Sequence, residues 1–527
     1  MLHALRRPRP LSWGLAGLFA ALYACVAVNR HRRMLTQAYD LGIFEQAVRA
    51  YAHGEAPVVL LKGPGYQLLG DHFHPLLATL APLYRLFPSA VTLLLAQAVL
   101  MALAVVPLAR WAFEVGGPRL AVLVGCLTGA SWGIVEAVAD DFHEIAFAVP
   151  LLAFAATALG RGRPVAAVLW ALPLVLVKED LGLTVAVFGA LVFARAGKGS
   201  GTRALGFGVA LFGLAATALT VLVVLPSFNP DGGFDYWGQM GTREAAGAPW
   251  EVAGRLVWPP LKWLLLGVAA ATAGFLGMRS PLVLLCLPTL GWRLVADNSH
   301  YWGVSYHYSA VLMPLLLAAL VDAVRRTGAY SGPDRVLARG REAGPDRPAV
   351  RRARRALAVA GLVALVTLPV YPLHELVAPG AWGTSPRLER ARAMLARIPD
   401  GATVAASNRL AAQLAGRTTV GLVCREPSPP LAVPMSAEAP SAGMPSAGTS
   451  SIGMPSAGTP SAGTPSTGTP SAGAVRGGPE WVVVDLADPS VQAPCAIADT
   501  VRMLDRYERL GYRRVVDDGD LRLLGRP

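Results

Sequence analysis

The sequence predicts an α-helical polytopic membrane protein with about eleven spans, followed by a small C-terminal extracytoplasmic α/β domain. Hydrophobic residues make up 54% of the 527 residues and charged residues only 15%, a balance too apolar for a soluble chain of this length. Apolar runs long enough to cross a hydrocarbon core recur along residues 1–375. Beyond residue 375 the pattern changes to short alternating strands and helices, which is typical of a small α/β domain.

The predicted spans fall into two groups. The long apolar runs cover residues 11–28, 90–109, 120–139, 204–225, 261–278, 281–296, 307–323 and 356–373. Three shorter runs at 145–160, 164–177 and 181–194 are expected to be kinked spans or spans sheltered inside the bundle. The first run is interpreted as an uncleaved span, because "AVNRHRR" offers no small-residue cleavage site.

Arginine and lysine predict the orientation. They concentrate in alternate loops, above all in a basic loop at 324–355, so these loops and the N-terminus are expected in the cytoplasm; "RHRR" at 30–33 is an exception. An odd number of spans in a bacterial plasma membrane then leaves residues 376–527 outside. The net charge of +13 comes largely from the basic loop, and anionic lipid at the inner leaflet accounts for it. The expected partner is therefore the bilayer and not nucleic acid.

The tail predicts a separate module at 376–527. "ATVAASN", "TTVGLV" and "WVVVDL" are typical of strands, "RLAAQLAG" and "DTVRMLDRYERLGY" of helices, and "RRVVDDGDLRLLG" of a hairpin with Asp-Gly at its turn. A Ser/Ala/Gly/Thr/Pro repeat at 427–479 interrupts the module and is too poor in apolar residues to pack, which predicts a disordered insert. Cys424 and Cys495 share the oxidising outer side and are able to pair there.

The predicted topology gathers the polar residues on one face. Eight of the nine histidines, all except His3, fall on the outer side. The other polar residues placed there are Asp40, Asp71, Asp140, Asp141, Glu144, Lys178, Glu179, Asp180 and the loop "DNSHYWGVSYH" at 297–307. A common polar cavity explains this asymmetry better than separate local roles do.

The long first outer loop, 30–89, opens with "AYDLGIFEQAVRAYAHG". Its apolar residues recur at helical spacing, which predicts an amphipathic helix lying on the outer membrane surface, with Glu45 and Arg49 paired on another face. Asp40 is a candidate site residue, and its alternative role is the N-cap of this helix.

The same loop continues with "GDHFHP". His72 and His74 point the same way on an extended segment, so with Asp71 they are able to bind a metal or a phosphate. The alternative is a solvated interfacial loop.

The segment "ADDFHEIAF" lies between two spans. Asp141 and Glu144 match a capping box for the following span, which would be a structural role. That interpretation leaves Asp140 and His143 unexplained.

The segment "LVKEDLGL" places three consecutive ionisable residues between two short apolar runs. Lys178 would end one helix, and Glu179 and Asp180 would begin the next, so each charge would be stabilised by the dipole of its helix. Ionisable residues this close to hydrocarbon usually face a cavity, so a functional role is the other interpretation.

These motifs, with "SYHYSAVLMPLL", "ASNRL" and "WVVVDL", resemble the bacterial and archaeal membrane family called domain of unknown function 2079, over nearly the whole chain. That family in turn is similar to the GT-C glycosyltransferases, which use polyprenyl-phosphate sugar donors. The resemblance implies a GT-C-like fold and places Asp40 at the position of the acidic residue in the first outer loop. The loop has no Asp-x-Asp, so dependence on a divalent metal such as Mg²⁺ or Mn²⁺ stays open.

Sugar transfer from a lipid phosphate requires a carboxylate base and positive charge for the departing phosphate. We expect Asp40 to be the general base, Asp140 and Glu179 to orient the acceptor or a metal, and phosphate or metal to be bound by Asp71, His72, His74, His143 and Lys178. Supporting positions are Glu45, Asp141, Glu144, Asp180 and His307. The acceptor would be an unidentified extracytoplasmic molecule. A transporter or flippase for envelope precursors and a non-catalytic envelope scaffold are the alternatives.

Overall fold

The structure is a computed structural model that describes residues 7–236, 254–330, 347–424, 478–488 and 494–526. The predicted repeat insert at 427–479 and the centre of the predicted basic loop at 324–355 lie largely outside these residues. Helices reach Arg326 on one side of that loop and begin at Arg347 on the other.

The described chain is mainly helical. Its α-helices are Pro8–Arg32, Ile43–His53, Ala81–Leu86, Ala90–Leu103, Val105–Gly129, Trp132–Ala139, Ala148–Gly160, Pro164–Ala171, Leu181–Arg195, Gly201–Leu219, Leu225–Phe228, Leu261–Thr272, Leu287–Val295, Ser299–Trp302, Leu312–Arg326, Arg347–Thr367, Pro386–Leu395, Asn408–Ala412 and Ile497–Arg509. Short 3₁₀ segments are Leu68–Gly70, Pro75–Leu80, Glu144–Ala146, Leu172–Leu176, Leu276–Arg279, Pro281–Cys286, His307–Ser309 and Pro372–Leu376. Two π-helical turns occupy Ala38–Gly42 and Thr220–Val224.

Within the described ranges, four helical segments are long and apolar enough to cross a membrane, by length and composition: Pro8–Arg32, Ala90–Gly129, Gly201–Phe228 and His307–Arg326. Five shorter apolar helical segments are Glu144–Gly160, Pro164–Leu176, Leu181–Arg195, Leu261–Thr272 and Pro281–Val295. The apolar helices therefore lie where the sequence predicts them, while the span count of about eleven is not confirmed.

Two predicted spans differ in detail. Helix Val105–Gly129 is interrupted by non-helical backbone at Gly116 and Gly117, just before Pro118, and the predicted run 120–139 breaks again before helix Trp132–Ala139. Helix Arg347–Thr367 covers much of the last predicted span but carries five arginines in its first nine residues, so its apolar stretch is short.

Helix Leu312–Arg326 forms the centre of the bundle. Every residue from Leu312 to Val324 is buried, and the helix packs against Val105–Gly129 and Ala148–Gly160. Apart from Asp322, this buried stretch is apolar on every side, as is expected of a helix at such a position.

Helices Leu181–Arg195 and Gly201–Leu219 form a tightly packed pair through glycine. A methyl group added at Gly206 would lie 2.4 Å from the backbone nitrogen of Phe193, and one at Gly189 would lie 2.3 Å from that of Ala210. Small residues at such contacts let two helix backbones approach closely inside a membrane. This pairing fixes the position of the residues that follow Gly206 on the second helix.

The predicted amphipathic helix is present as Ile43–His53, but the prediction that it lies on the membrane surface is wrong. Its apolar face is buried in the core, and its polar side packs on the C-terminal domain, where Arg49 donates to the carbonyls of Ala415 and Thr418 at 3.2 and 3.0 Å. The predicted Glu45–Arg49 pair is also wrong, because Glu45 instead accepts a hydrogen bond from Tyr84 at 3.0 Å.

The C-terminal domain contains a mixed five-stranded sheet. Its strands are β1 Thr403–Ala406, β2 Thr419–Leu422, β3 Trp481–Asp485, β4 Arg513–Asp518 and β5 Leu521–Gly525, in the order β2-β1-β3-β5-β4. β1 runs parallel to β2 and β3, and β5 pairs antiparallel with β3 and β4. The predicted hairpin is the β4–β5 pair, and Cys424 and Cys495 are joined by a disulfide.

This domain is held against the first loop by side-chain amides. Asn408 accepts from the Tyr39 amide at 3.0 Å and donates to Gln37 at 3.0 Å, and Gln46 donates to the Val420 carbonyl at 2.8 Å. The residues on either side of Asp40 are thereby hydrogen-bonded to the C-terminal domain.

Candidate functional site

A cavity of about 760 Å³ lies between the first loop and the helical bundle, and all of its lining residues fall within 39–308. Ten of the thirteen predicted site residues line it: Asp40, Asp71, His72, His74, His143, Glu144, Lys178, Glu179, Asp180 and His307. Three separate loops and the turn before helix Leu312–Arg326 supply these side chains. The motifs that the sequence placed on one face thus converge on one cavity.

Lys62 and Asp71 form the first ion pair of the cavity wall. Lys62 Nζ lies 2.7 Å from an Asp71 carboxylate oxygen, and the other oxygen accepts a hydrogen bond from the Tyr236 hydroxyl at 3.2 Å. Burial opposes the charge on Asp71, but the nearby cations of His72 and Lys62 outweigh burial and hold the pKa of the Asp71 carboxyl below its usual range.

His72 and Glu179 form a second pair. His72 Nδ1 lies 2.8 Å from one Glu179 oxygen, the other Glu179 oxygen accepts from the Phe73 amide at 3.2 Å, and the His72 ring stacks on Tyr236. Burial and the charge of Lys178 lower the pKa of His72, yet Glu179 and Asp71 outweigh both and raise it. His74 differs, because burial lowers its pKa to about 4 and its Nδ1 has no hydrogen-bond partner in the described chain.

Lys178 and Glu144 form a third pair, 2.7 Å apart. Burial lowers the pKa of Lys178, but the charges of Glu144, Glu179 and Asp180 raise it overall. Asp180 accepts from the Trp292 indole at 3.0 Å, and burial together with the charge of Glu179 raises its pKa to about 6. The side chains of "KED" therefore face the cavity and do not cap the flanking helices.

Asp40 and Asp140 each lie beside a histidine. His143 Nε2 lies 3.5 Å from Asp40, and His307 Nδ1 lies 2.9 Å from Asp140. Burial lowers the pKa of His143, but its hydrogen bond to Asp40 and the surrounding carboxylates raise it to about 9. The N-cap alternative for Asp40 is wrong, because Asp40 lies within the π-helical turn and Gly42, without a capping side chain, precedes helix Ile43–His53.

The predicted capping box of Asp141 and Glu144 is also wrong. Asp141 accepts from the Gln37 amide at 2.6 Å and has a left-handed backbone at φ 62°, whereas Glu144 turns to Lys178. Buried Gln97 holds this loop, because it donates to the Ala137 and Asp141 carbonyls and accepts from the His143 amide at 2.9 Å. Left-handed backbone at a residue other than glycine costs free energy and commonly occurs at functional sites.

Three predicted site residues lie outside the cavity lining: Glu45, Asp140 and Asp141. Asp140 supports His307, Asp141 orders the first loop, and Glu45 is 1% exposed in the contact with Tyr84 and the C-terminal domain. Glu45 is therefore a structural residue.

One wall of the cavity is apolar and reaches the lipid-facing surface. Leu214 and Leu222 line the cavity, yet they are 52% and 66% exposed on the protein surface. Their helical segment, Gly201–Phe228, is only 22% buried over its most apolar stretch, so in a bilayer this wall contacts hydrocarbon. The cavity thus combines a charged end with an apolar opening.

Sequence reasoning missed four residues that build the site: Lys62, Gln97, Tyr236 and Trp292. Gln97 could have been predicted, because it is a polar amide in the middle of a long apolar run. Tyr236 and Trp292 are aromatic residues in regions rich in them, and only the fold brings them to Asp71 and Asp180.

The residues that fit a metal ion best are Asp140, His143 and His307, whose donor atoms lie within 4.8 Å of one another. The carboxylates of Asp71, Glu144 and Glu179 are each within 2.8 Å of a lysine or histidine nitrogen. A metal is therefore better suited to the histidine side of the cavity than to the "GDHFHP" carboxylate.

Comparison with known proteins gives one result. The profile of a family described as "Predicted membrane protein (DUF2079)" matches residues 30–427, which include every residue of the cavity lining. No curated protein matches the chain.

Proposed function

The chain belongs to that family of predicted membrane proteins, and we propose that it is a glycosyltransferase that moves a sugar from a polyprenyl-phosphate donor to an extracytoplasmic acceptor. The observation that carries the proposal is the two-part cavity: a charged end that contains Asp40, and an apolar wall that opens towards lipid. A ligand that fills both parts has a polar head and a long hydrocarbon tail. A lipid-linked sugar phosphate has this composition.

The aromatic residues of the cavity support a sugar as part of the ligand. Tyr236, Trp292, Tyr301 and Tyr308 line the polar end, and Trp292 and Tyr308 both pack edge-on against Tyr301. Aromatic side chains offer broad apolar faces with polar edges, which suits the C–H faces and hydroxyl groups of a sugar ring.

Asp40 is suited to be the general base. Its side chain is 35% exposed and faces the cavity, whereas the other lining carboxylates are more deeply enclosed. In the proposed step the acceptor oxygen forms a bond to the anomeric carbon, and the bond from that carbon to the phosphate oxygen breaks. The hydroxyl proton passes to Asp40, and the polyprenyl phosphate leaves with the electron pair.

Lys62 and Lys178 would stabilise the departing phosphate, because both ammonium groups line the cavity. Each one already contacts a carboxylate, so the cavity holds no surplus of lysine charge. The phosphate must share these cations with Asp71 and Glu144 or meet further positive charge.

The donor part of the proposal is tested by identifying the lipids that the protein retains. Wild type, Asp40→Asn and a control, Glu114→Gln, would be purified from the native membrane, and their bound lipids identified by mass spectrometry. Glu114 pairs with Arg161, away from the cavity lining, so the control should match wild type. We expect Asp40→Asn to retain a polyprenyl-phosphate sugar, because the acceptor can no longer be deprotonated.

If all three proteins retain only bilayer phospholipid, the polyprenyl-phosphate donor is contradicted. If the lipid carries no sugar in any variant, the transferase assignment fails while a lipid-binding cavity remains.

A further inference from the structure

Three residues beside the cavity form a compact set of metal-ligand types, which we term the His–Asp cluster: Asp140, His143 and His307. They come from two places in the chain. The loop after helix Trp132–Ala139 supplies Asp140 and His143, and the 3₁₀ turn before helix Leu312–Arg326 supplies His307.

The side chains of the cluster lie close together. The His143 and His307 rings stack with centroids 3.6 Å apart, and donor atoms of Asp140, His143 and His307 all lie within 4.8 Å of one another. Asp40 lies outside this set, 3.5 Å from His143 Nε2, where its carboxylate orients the ring. Ligand atoms around Zn²⁺ at about 2.0–2.2 Å lie closer to one another than this, so binding draws the three side chains together.

A buried nitrogen in the cluster lacks a partner. His143 is 4% exposed, and its Nδ1 has no hydrogen-bond partner in the described part of the chain. A buried polar atom without a partner is costly, and a bound ion is one of the recognised ways to satisfy it. This observation is independent of the spacing of the three residues.

The charges of the cluster and of its neighbour Asp40 match a divalent cation. Histidine binds metal as the neutral imidazole, so the two histidines contribute no charge, whereas the Asp140 carboxylate contributes one negative charge and the Asp40 carboxylate beside it a second. One dication would neutralise this set.

The cluster is held in place by outer contacts. The His143 amide donates to Gln97 at 2.9 Å, and the Asp140 carboxylate also accepts from the His307 amide at 2.9 Å. Such contacts orient ligands in metal sites and contribute to affinity.

We propose that the His–Asp cluster binds a first-row transition-metal dication, for which Zn²⁺ is the probe. Two imidazole nitrogens favour such an ion, whereas Mg²⁺ prefers a shell of oxygen ligands and retained water. The binding site rests on its three side chains and on the buried His143 nitrogen without a partner. Its role rests on the proposed function: the ion would supply the positive charge for the phosphate that the paired lysines lack.

The test measures metal binding without any substrate. The full-length protein would be purified in detergent through a tag other than polyhistidine, stripped with a chelator, dialysed against Zn²⁺ and analysed for metal per protein. We expect one equivalent in wild type, retained in excess Mg²⁺. The variant His143→Gln/His307→Gln should bind Zn²⁺ on the order of 100-fold more weakly.

His374→Gln is the matched control, because His374 is exposed and its ring hydrogen-bonds to the Tyr371 carbonyl in its own turn. If the double variant fails to fold, Asp40→Asn serves instead, since its partly exposed side chain leaves folding intact and should weaken Zn²⁺ binding about tenfold. The proposal is overturned if wild type binds no more Zn²⁺ than the histidine variant, or if Mg²⁺ displaces Zn²⁺ at equal concentration.

The two proposals fail separately. If the protein retains no lipid-linked sugar but binds one equivalent of Zn²⁺, the glycosyltransferase proposal is contradicted and the metal site stands. If the protein retains a lipid-linked sugar but binds no Zn²⁺, the metal site is contradicted and the glycosyltransferase proposal stands.

Discussion

Asp40 and Glu45 lie in one short segment, yet the fold gives their carboxylates different environments. Asp40 faces the cavity with a partly exposed side chain, whereas Glu45 is buried against Tyr84. Burial raises the pKa of Glu45 to about 7, although the Tyr84 hydroxyl and the charge of Arg49 oppose the rise. At the residue scale, one carboxylate faces the cavity, where we propose that it acts as a base, and the other is buried in a packing contact.

The substitution Glu45→Gln should stabilise the protein at pH 8. The folded-state pKa of Glu45 lies above its ordinary value of 4.5, so folding takes up a proton and wild-type stability falls as the pH rises from 4.5 through about 7. The amide of the variant still accepts from Tyr84 but carries no charge. At about 1.4 kcal/mol per pKa unit, we expect a gain of up to a few kcal/mol at pH 8 and little at pH 4.5.

Thermal unfolding in detergent across this pH range measures the effect. The exposed Glu55→Gln is the control and should follow wild type. Parallel curves for Glu45→Gln and wild type between pH 5 and pH 8 would contradict the burial argument.

The sequence indicated the residue types of the site better than it indicated their partners. "GDHFHP" and "LVKEDLGL" pointed to His72 and Glu179, but nothing in their spacing pairs residues 107 positions apart. Local helix-capping rules fitted Asp141 and Glu144 and were wrong, because tertiary contacts with Gln37 and Lys178 use those carboxylates. Capping rules consider only neighbours in the chain.

At the scale of elements, the pair of helices Leu181–Arg195 and Gly201–Leu219 positions the apolar wall of the cavity. Gly206 lies in the contact between the helices, where an added methyl group would lie 2.4 Å from the Phe193 backbone nitrogen. A methyl group added at Gly208 would have no atom within 4 Å among the described residues. Leu214 and Leu222 follow on the same helical segment.

Gly206→Val should therefore separate the two helices and displace the apolar wall of the cavity. We expect the overpacking to lower the free energy of unfolding by about 1–3 kcal/mol or more. Gly208→Val adds the same side chain to the same helix at an open surface and is the matched control. Thermal stability and the amount of retained donor lipid would be measured for both variants. Equal effects of the two substitutions would contradict the close contact.

Long elements were predictable, and their interruptions only partly so. The apolar runs predicted the positions of the helices. The alternation of apolar and polar residues around an Asp-Gly pair predicted the β4–β5 hairpin. The location of helix Ile43–His53 was wrong, because an amphipathic helix fits a membrane surface and a second protein layer equally well in sequence. Its polar side is covered by the C-terminal domain, more than 350 residues away in the chain, and its sequence does not reveal that contact.

At the scale of the whole molecule, the cavity depends on parts of the chain far apart in sequence. The bundle supplies the lysine and histidine loops, the segment Gly201–Phe228 supplies the apolar wall, and the C-terminal domain holds the turn of Asp40 through Asn408. The amphipathic composition of the resulting cavity is the central reason to propose a lipid-linked sugar as substrate. Composition and the basic loops predicted a membrane protein, but only the assembled fold brings the charged end next to the apolar wall.

The most direct test of the transferase compares wild type, a deletion strain and a chromosomal Asp40→Asn strain with equal protein levels. Polyprenyl-phosphate sugars and envelope glycans would be profiled in each by mass spectrometry. We predict that the deletion and Asp40→Asn strains lose the same glycan and accumulate the same lipid-linked sugar. A deletion that alters the envelope while Asp40→Asn matches wild type would contradict catalysis through Asp40.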